Sequence, residues 1–269
     1  SASAVGNVVG RNIANILLVL SLGVLIFPMS CCQHVKERDL VVVLAVTGFF
    51  VWLSATRGEI NAMHGGLMVV MLLLYVLYAY FEERWRLAPV GTLKQNLEIQ
   101  ETWILRPGLW GWTIDLLWLV GGAAALVYGA GLLVQGVTDI ARIFGVWEGV
   151  IGLTVVAVGT SLPELATVIV AALRRHPEIA IGGVLGSNIF NILAVLGIAS
   201  LIETIPVDPA FVAFDYWVML AAALILIPVV LSRNRISRLE SSLMLLAYLA
   251  YVAALYAPGE IRFASGSPL

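Results

Sequence analysis

The chain has 269 residues, 61% of them hydrophobic and only 12% charged, with a mean hydropathy of +0.98. A soluble domain carries about 25% charged residues, so this composition excludes a chain that could clothe itself in water. The net charge of −2, without a basic run, gives no footing for nucleic acid.

A membrane-spanning helix needs about 20 mostly apolar residues. Taken in chain order, the apolar runs predict eight spans, at 8–28, 40–55, 63–81, 113–136, 147–173, 180–204, 213–231 and 240–257, the second of them short. Between the first two lie Cys31 and Cys32, too close for an ordinary disulfide and without the partners of a zinc site. After the third comes the longest polar stretch, 82–112, a central loop whose later part, with Trp103, Trp110 and Trp112, suits a membrane interface. A tail, 258–269, follows the last span.

Lys and Arg set the orientation. The loops after odd-numbered spans hold Lys36, Arg38, Arg84, Arg86, Lys94, Arg106, Arg174, Arg175, Arg233, Arg235 and Arg238. The other side holds only Arg57, Arg142 and Arg262. The expected arrangement is a multi-pass membrane protein with a cytoplasmic central loop and both visible ends outside.

The sequence repeats itself. "AVGNVVGRNIANILLVL" at 4–20 matches "AIGGVLGSNIFNILAVL" at 180–196 at eleven positions, an offset of 176. The same offset pairs Gly10 with Gly186, Asn12 with Asn188, Asn15 with Asn191, Asp39 with Asp215, Arg57 with Arg233 and Tyr75 with Tyr251. The first copy begins on span one and the second on span six. Five crossings separate them, so the copies lie in opposite orientations, the pattern of secondary transporters whose sites sit between the repeats near the midplane. Residues 1–81 then form a first repeat of three helices, and 113–257 a complete second repeat of five. The counterparts of spans four and five fall before residue 1. The first copy is expected to lack them, either because the sequence is a fragment or because another polypeptide supplies them.

Span five carries "GTSLPE" at 159–164, a carboxylate and a proline inside an apolar run. Pro163 has no N–H, which frees the Gly159 carbonyl and should bend the helix. Thr160 and Ser161 lie four and three residues before Glu164, so their oxygens can share its face. On span six Ser187 and Asn191 are likewise four apart, with Asn15 the repeat mate of Asn191. Gly6/Gly10 and Gly182/Gly186 are small-residue pairs that let helix backbones approach. A lone Thr can bond its own backbone, and Asn pairs can simply join helices. A midspan glutamate is harder to explain structurally, since it costs roughly 2.5–3.5 kcal/mol to insert. Together these groups offer oxygen ligands of the kind that hard cations such as Ca²⁺ take. An enzyme reading would make Ser161 a nucleophile. That needs a neighbouring base, yet His34, His64 and His176 fall in loops or at span ends, so no enzyme is expected.

"GTSLPE" with "GGVLGSNIFNI" closely resembles the second alpha-repeat of the cation/calcium exchangers, above all the bacterial sodium/calcium exchanger group, and "GNVVGRNIANI" resembles the latter half of their first. The resemblance implies an all-α, polytopic inverted-repeat antiporter fold, about eight helices out of the family's ten, in a bacterial inner membrane. It implies Ca²⁺ and Na⁺ as transported ions, exchanged by alternating access, with no other cofactor. By position it carries the family's ion ligands onto Glu164, Thr160, Ser161, Ser187, Asn191, Asn15 and the carbonyl of Ala157. Three departures stand out. No first-repeat glutamate is present, Asn191 stands where many members have Asp, and Arg11 replaces the serine of "GSN". Arg11 is expected either to snorkel outward or to mark an altered copy. On these departures the 269 residues alone are expected not to exchange Ca²⁺; the alternative reading is a transport-inactive membrane scaffold.

Overall fold

The structure, a computed structural model, describes residues 2–30, 33–87, 109–146, 148–231 and 235–256. The readings placed on Cys31, Cys32, Trp103, most of the central loop and the tail lie outside the described residues.

Among the described residues, seven helices are long and apolar enough to cross a membrane: α1 (Ala4–Ile26), α2 (Arg38–Arg57), α3 (Ala62–Glu82), α4 (Leu116–Ile143), α6 (Pro177–Ile202), α7 (Phe211–Pro228) and α8 (Arg238–Tyr256). An eighth span, α5, is a broken pair, Gly152–Thr160 and Leu162–Leu173, bent by 49°. The break falls on Ser161, whose φ of −92° and ψ of 0° leave the helical region. Pro163 follows at the start of the second piece, where its missing N–H costs nothing. The bend expected from this proline is therefore present.

Most span ends shift by a few residues from those expected, and two spans differ for a clear local reason. The second span is a full 20 residues because its charged start is neutralised. Arg38 pairs with Asp39 at 2.6 Å and with Glu82 at 2.9 Å, and the Tyr75 hydroxyl donates to Asp39 at 3.0 Å. The helix containing α4 runs from Leu109 to Ile143, past both expected ends. Pro107-Gly108 precede it and nothing in "LWGW" interrupts it. Trp110 and Trp112 thus belong to helix backbone, and Arg142 sits in its last turn instead of a loop.

The 176-residue offset reappears element by element. A π-helical turn at Asn15–Leu20 has its counterpart at Asn191–Leu196, and the α-helical piece Ser21–Ile26 has its counterpart at Gly197–Ile202. The short strands follow suit. β1 (Met29–Ser30) pairs antiparallel with β4 (Arg235–Ile236), and β2 (Glu59–Ile60) with β3 (Ile205–Pro206). Adding 176 to β1 gives β3 and adding it to β2 gives β4, so each ribbon is the repeat image of the other. The β1–β4 ribbon joins the loops after spans one and seven, and β2–β3 joins those after spans two and six. Odd-ranked loops meet odd and even meet even, as inverted repeats require.

Burial ranks the helices. About 72% of the best window of α1 and 61% of that of α6 is enclosed, against 17% for α3 and 6% for α4. The repeat mates α1 and α6 therefore form the centre. α4, with Leu117, Trp118, Leu119 and Tyr128 exposed, turns an apolar surface outward on nearly every side, as a lipid-facing helix does.

Candidate ion site

Polar groups gather where α1, α5 and α6 meet. The amides of four asparagines form a network that obeys the two-fold. Asn12 Nδ2 donates to the Asn188 carbonyl at 3.4 Å, and Asn188 Nδ2 to the Asn12 carbonyl at 3.5 Å. Asn15 Nδ2 donates to Asn188 Oδ1 at 3.0 Å, and Asn191 Nδ2 to Asn12 Oδ1 at 3.1 Å. All four residues are buried. In an apolar surrounding a buried amide is tolerated when partnered, and each of these is partnered across the repeat. Both Asn15 and Asn191 open a π-helical turn, where the wider winding loosens the local backbone ladder.

From Asn15 a chain of bonds leads to the carboxylate. Asn15 Nδ2 lies 3.3 Å from Ser187 Oγ, which donates to Glu164 Oε1 at 2.9 Å. The same oxygen receives Arg11 Nη2 at 2.7 Å, an ion pair whose side chains are each 18% exposed. Arg11, Thr160, Pro163, Glu164, Thr167 and Gly183 line a cleft of about 390 Å³. Glu164 is held there by the bend at Ser161, which turns the first residues of Leu162–Leu173 toward α1 and α6.

The expected ligands divide by position. Glu164, Ser187 and Asn15 form one connected group. Thr160 lines the same cleft, its hydroxyl donating mainly to the Val156 carbonyl at 2.7 Å, with Asn7 Oδ1 at 3.3 Å. Ser161 is 1% exposed, and its Oγ has no hydrogen-bond partner; the same holds for Asn15 Oδ1. Asn191 instead points its amide at Asn12. The Ala157 carbonyl accepts from Ser161 N–H at 3.1 Å and lies 3.2 Å from the Thr160 hydroxyl, whose single hydrogen goes mainly to Val156. Among the described residues no cluster of three His, Cys, Asp or Glu side chains occurs. Glu164 supplies the carboxylate of this group, and amide and hydroxyl oxygens supply the rest.

Two expectations are corrected. Arg11 does not reach outward; it turns in and binds Glu164, because a carboxylate 2.7 Å away satisfies the guanidinium better than the apolar rim. The glycine pairs are not equivalent either. A Cβ on Gly10 would meet the Leu153 carbonyl oxygen at 2.5 Å, so α1 and α5 do approach closely there, whereas Gly182 and Gly186 face open space within 4 Å. The pattern marks a small surface without naming what lies against it. The reading also missed Asn7 and the partnership of Asn12 with Asn188. The second was signalled only as an identity between repeats.

A membrane bundle of two inverted repeats, with a carboxylate cleft at the crossing of its central helices, has the architecture of an antiporter. A family model described as sodium/calcium exchanger protein matches residues 1–81 and 114–257. CaxA of Alkalimonas amylolytica is 36% identical over 94% of this chain and 78% of that protein. The sodium/calcium exchanger MaX1 of Methanosarcina acetivorans is 30% identical over 95% of this chain and 81% of its own length. The solved structure of the sodium-calcium exchanger NCX_Mj soaked with Na⁺ and Sr²⁺ superposes with a TM-score of 0.70 at 26% identity, covering 95% of this chain and 77% of that one. The chain belongs to the sodium/calcium exchanger family.

Proposed function

We propose that the protein is a secondary antiporter that moves Ca²⁺ against Na⁺, or against H⁺, by alternating access. It works in a bacterial inner membrane, with residues 1–81 and 113–257 as its inverted halves and the central loop in the cytoplasm. The observation that carries this reading is Glu164, a carboxylate inside a membrane span, aimed into the α1–α5–α6 cleft with Ser187 bonded to it at 2.9 Å. Hard cations take carboxylate, hydroxyl and amide oxygens, and Ser161 Oγ and Asn15 Oδ1 are buried oxygens with no protein partner. The ion shell in this reading is Glu164, Ser187, Ser161, Thr160 and Asn15, completed by Asn191 and the Ala157 carbonyl. The MaX1 and NCX_Mj names support Na⁺ and Ca²⁺ as the ions.

The test is uptake of radioactive Ca²⁺ at millimolar concentration into membrane vesicles holding the protein, with and without an outward Na⁺ gradient. Gradient-driven uptake that collapses in Glu164→Gln would support the antiporter and overturn the expectation that these 269 residues alone do not exchange Ca²⁺. One observation favours a second reading, a transport-inactive membrane scaffold: Arg11 neutralises Glu164. Absence of gradient-driven uptake in both wild type and Arg11→Ser would select it.

A further inference from the structure

Positions 11 and 187 are repeat mates, and both address the same atom. Ser187 Oγ donates to Glu164 Oε1 at 2.9 Å, and Arg11 Nη2 reaches that oxygen at 2.7 Å. The two contacts are chemically unequal. A hydroxyl carries lone pairs and can turn to face a metal ion, whereas a guanidinium is donor-only and stays charged at every accessible pH. Where one repeat presents a ligand, the other presents a cation.

At Oε1 the two cations compete for one place. A Ca²⁺ ion bound to Glu164 Oε1 would stand about 2.3–2.6 Å from it, while the guanidinium nitrogen already stands at 2.7 Å. Two cations on one carboxylate oxygen repel strongly in a low-dielectric surrounding. Arg11 has somewhere to go: its side chain lines the 390 Å³ cleft, and its Nε holds no hydrogen bond. Its backbone has not. The neighbouring Gly10 is packed against Leu153 and Ala157 of α5, so only the side chain can move.

We propose that Arg11 is a tethered cation that occupies the Glu164 site when no ion is bound, and that a transported cation enters only as the guanidinium swings out into the cleft. The inference rests on Glu164 being the ion carboxylate. Arg11 then sets the affinity of the site. Ion binding is weakened by the fraction of time the carboxylate is unoccupied by its own arginine, and the ion-free site carries no net charge from this pair.

The experiment measures Ca²⁺ binding to the purified full chain in detergent, by radioactive Ca²⁺ retention and by the Ca²⁺-dependent rise in unfolding temperature. The variants are Arg11→Ser, Arg11→Gln, Arg11→Lys, Glu164→Gln and Arg11→Ser/Glu164→Gln. Only variants eluting as a single species are compared, and the three replacements at position 11 cover one another against misfolding. Arg11→Ser and Arg11→Gln should each tighten Ca²⁺ binding at least tenfold, about 1.4 kcal/mol. Arg11→Lys, which keeps the charge, should stay near wild type, a distinction that mere loss of packing would not produce. The gain should vanish in Arg11→Ser/Glu164→Gln. Wild-type affinity in Arg11→Ser and Arg11→Gln, with binding still abolished by Glu164→Gln, overturns the tethered-cation inference and leaves the ion site standing. Binding that survives Glu164→Gln unchanged overturns the ion site itself, and the inference with it.

Discussion

Gly10 and Gly186 occupy equivalent positions in the two repeats, so the same substitution at both separates packing from helix propensity. Alanine is favoured over glycine inside a helix by about 0.8–1.0 kcal/mol, and both sites receive that gain. At Gly10 the new Cβ meets the Leu153 carbonyl oxygen at 2.5 Å and both Leu153 Cα and Ala157 Cβ at 2.8 Å. Two of those three atoms are helix backbone and cannot rotate aside. At Gly186 nothing lies within 4 Å. Overpacking costs about 1–3 kcal/mol, so Gly10→Ala should be the less stable variant by about that amount. For chains of this size about 2–4 °C accompanies each kcal/mol, which puts the expected gap on the order of 2–12 °C. Tryptophan fluorescence during heating in detergent reads it, at one fixed scan rate because such unfolding is often irreversible. Adding Ala157→Gly to Gly10→Ala removes one of the three contacts and should recover only part of the loss. Equal midpoints for the two single variants, or a reversed order, would refute the claim that α1 and α5 touch where α6 is bare.

Three further outcomes are expected. Asn188→Ala takes an acceptor from the buried Asn15 Nδ2 and a donor from the Asn12 backbone carbonyl, at about 1–3 kcal/mol; adding Asn15→Ala should cost less than the sum of the two single changes, measured as a double-mutant cycle by thermal unfolding. Glu164→Ala strands the Arg11 guanidinium and should lower stability by about 1–3 kcal/mol, much of it regained in Arg11→Ala/Glu164→Ala; a double variant no better than Glu164→Ala would show that the pair contributes nothing. With Cys31 and Cys32 replaced by Ser, Arg174→Cys should react with an impermeant thiol reagent only from the cytoplasmic side, and Arg57→Cys only from outside. Labelling of both from one side would overturn the orientation.

Much of the fold was legible because a membrane leaves few solutions. Runs of about 20 apolar residues locate the spans, and the identity at offset 176 reveals the duplication before any coordinates. What stayed hidden depends on hydrogen bonds that side-chain pattern does not record. The π-turns at Asn15–Leu20 and Asn191–Leu196 are made of the same apolar residues as the α-helix around them. In the site, Glu164 stood out by its cost alone. The fate of Arg11 did not, because its partner lies 153 residues away on another helix. A sequence shows only that an arginine stands in the repeat; the arrangement of α1 against α5 shows that it reaches Glu164. The partner of the Asn191 amide was hidden for a related reason: the repeat supplies Asn12 Oδ1, 179 residues away.

The two small ribbons have a mechanical consequence. Each takes one strand from each half of the molecule, β1 with β4 and β2 with β3, and they sit at the two opposite mouths of the bundle. The halves are thus sewn together at both ends, and a clamshell opening along the seam between them would unpick backbone pairing on one side or the other. Spans α4 and α5 run into neither seam. Glu164 rides on α5, while the four asparagines are fixed within the sewn frame. A parting of the two halves is therefore resisted by backbone pairing at both ends, on residues that lie outside the ion cleft.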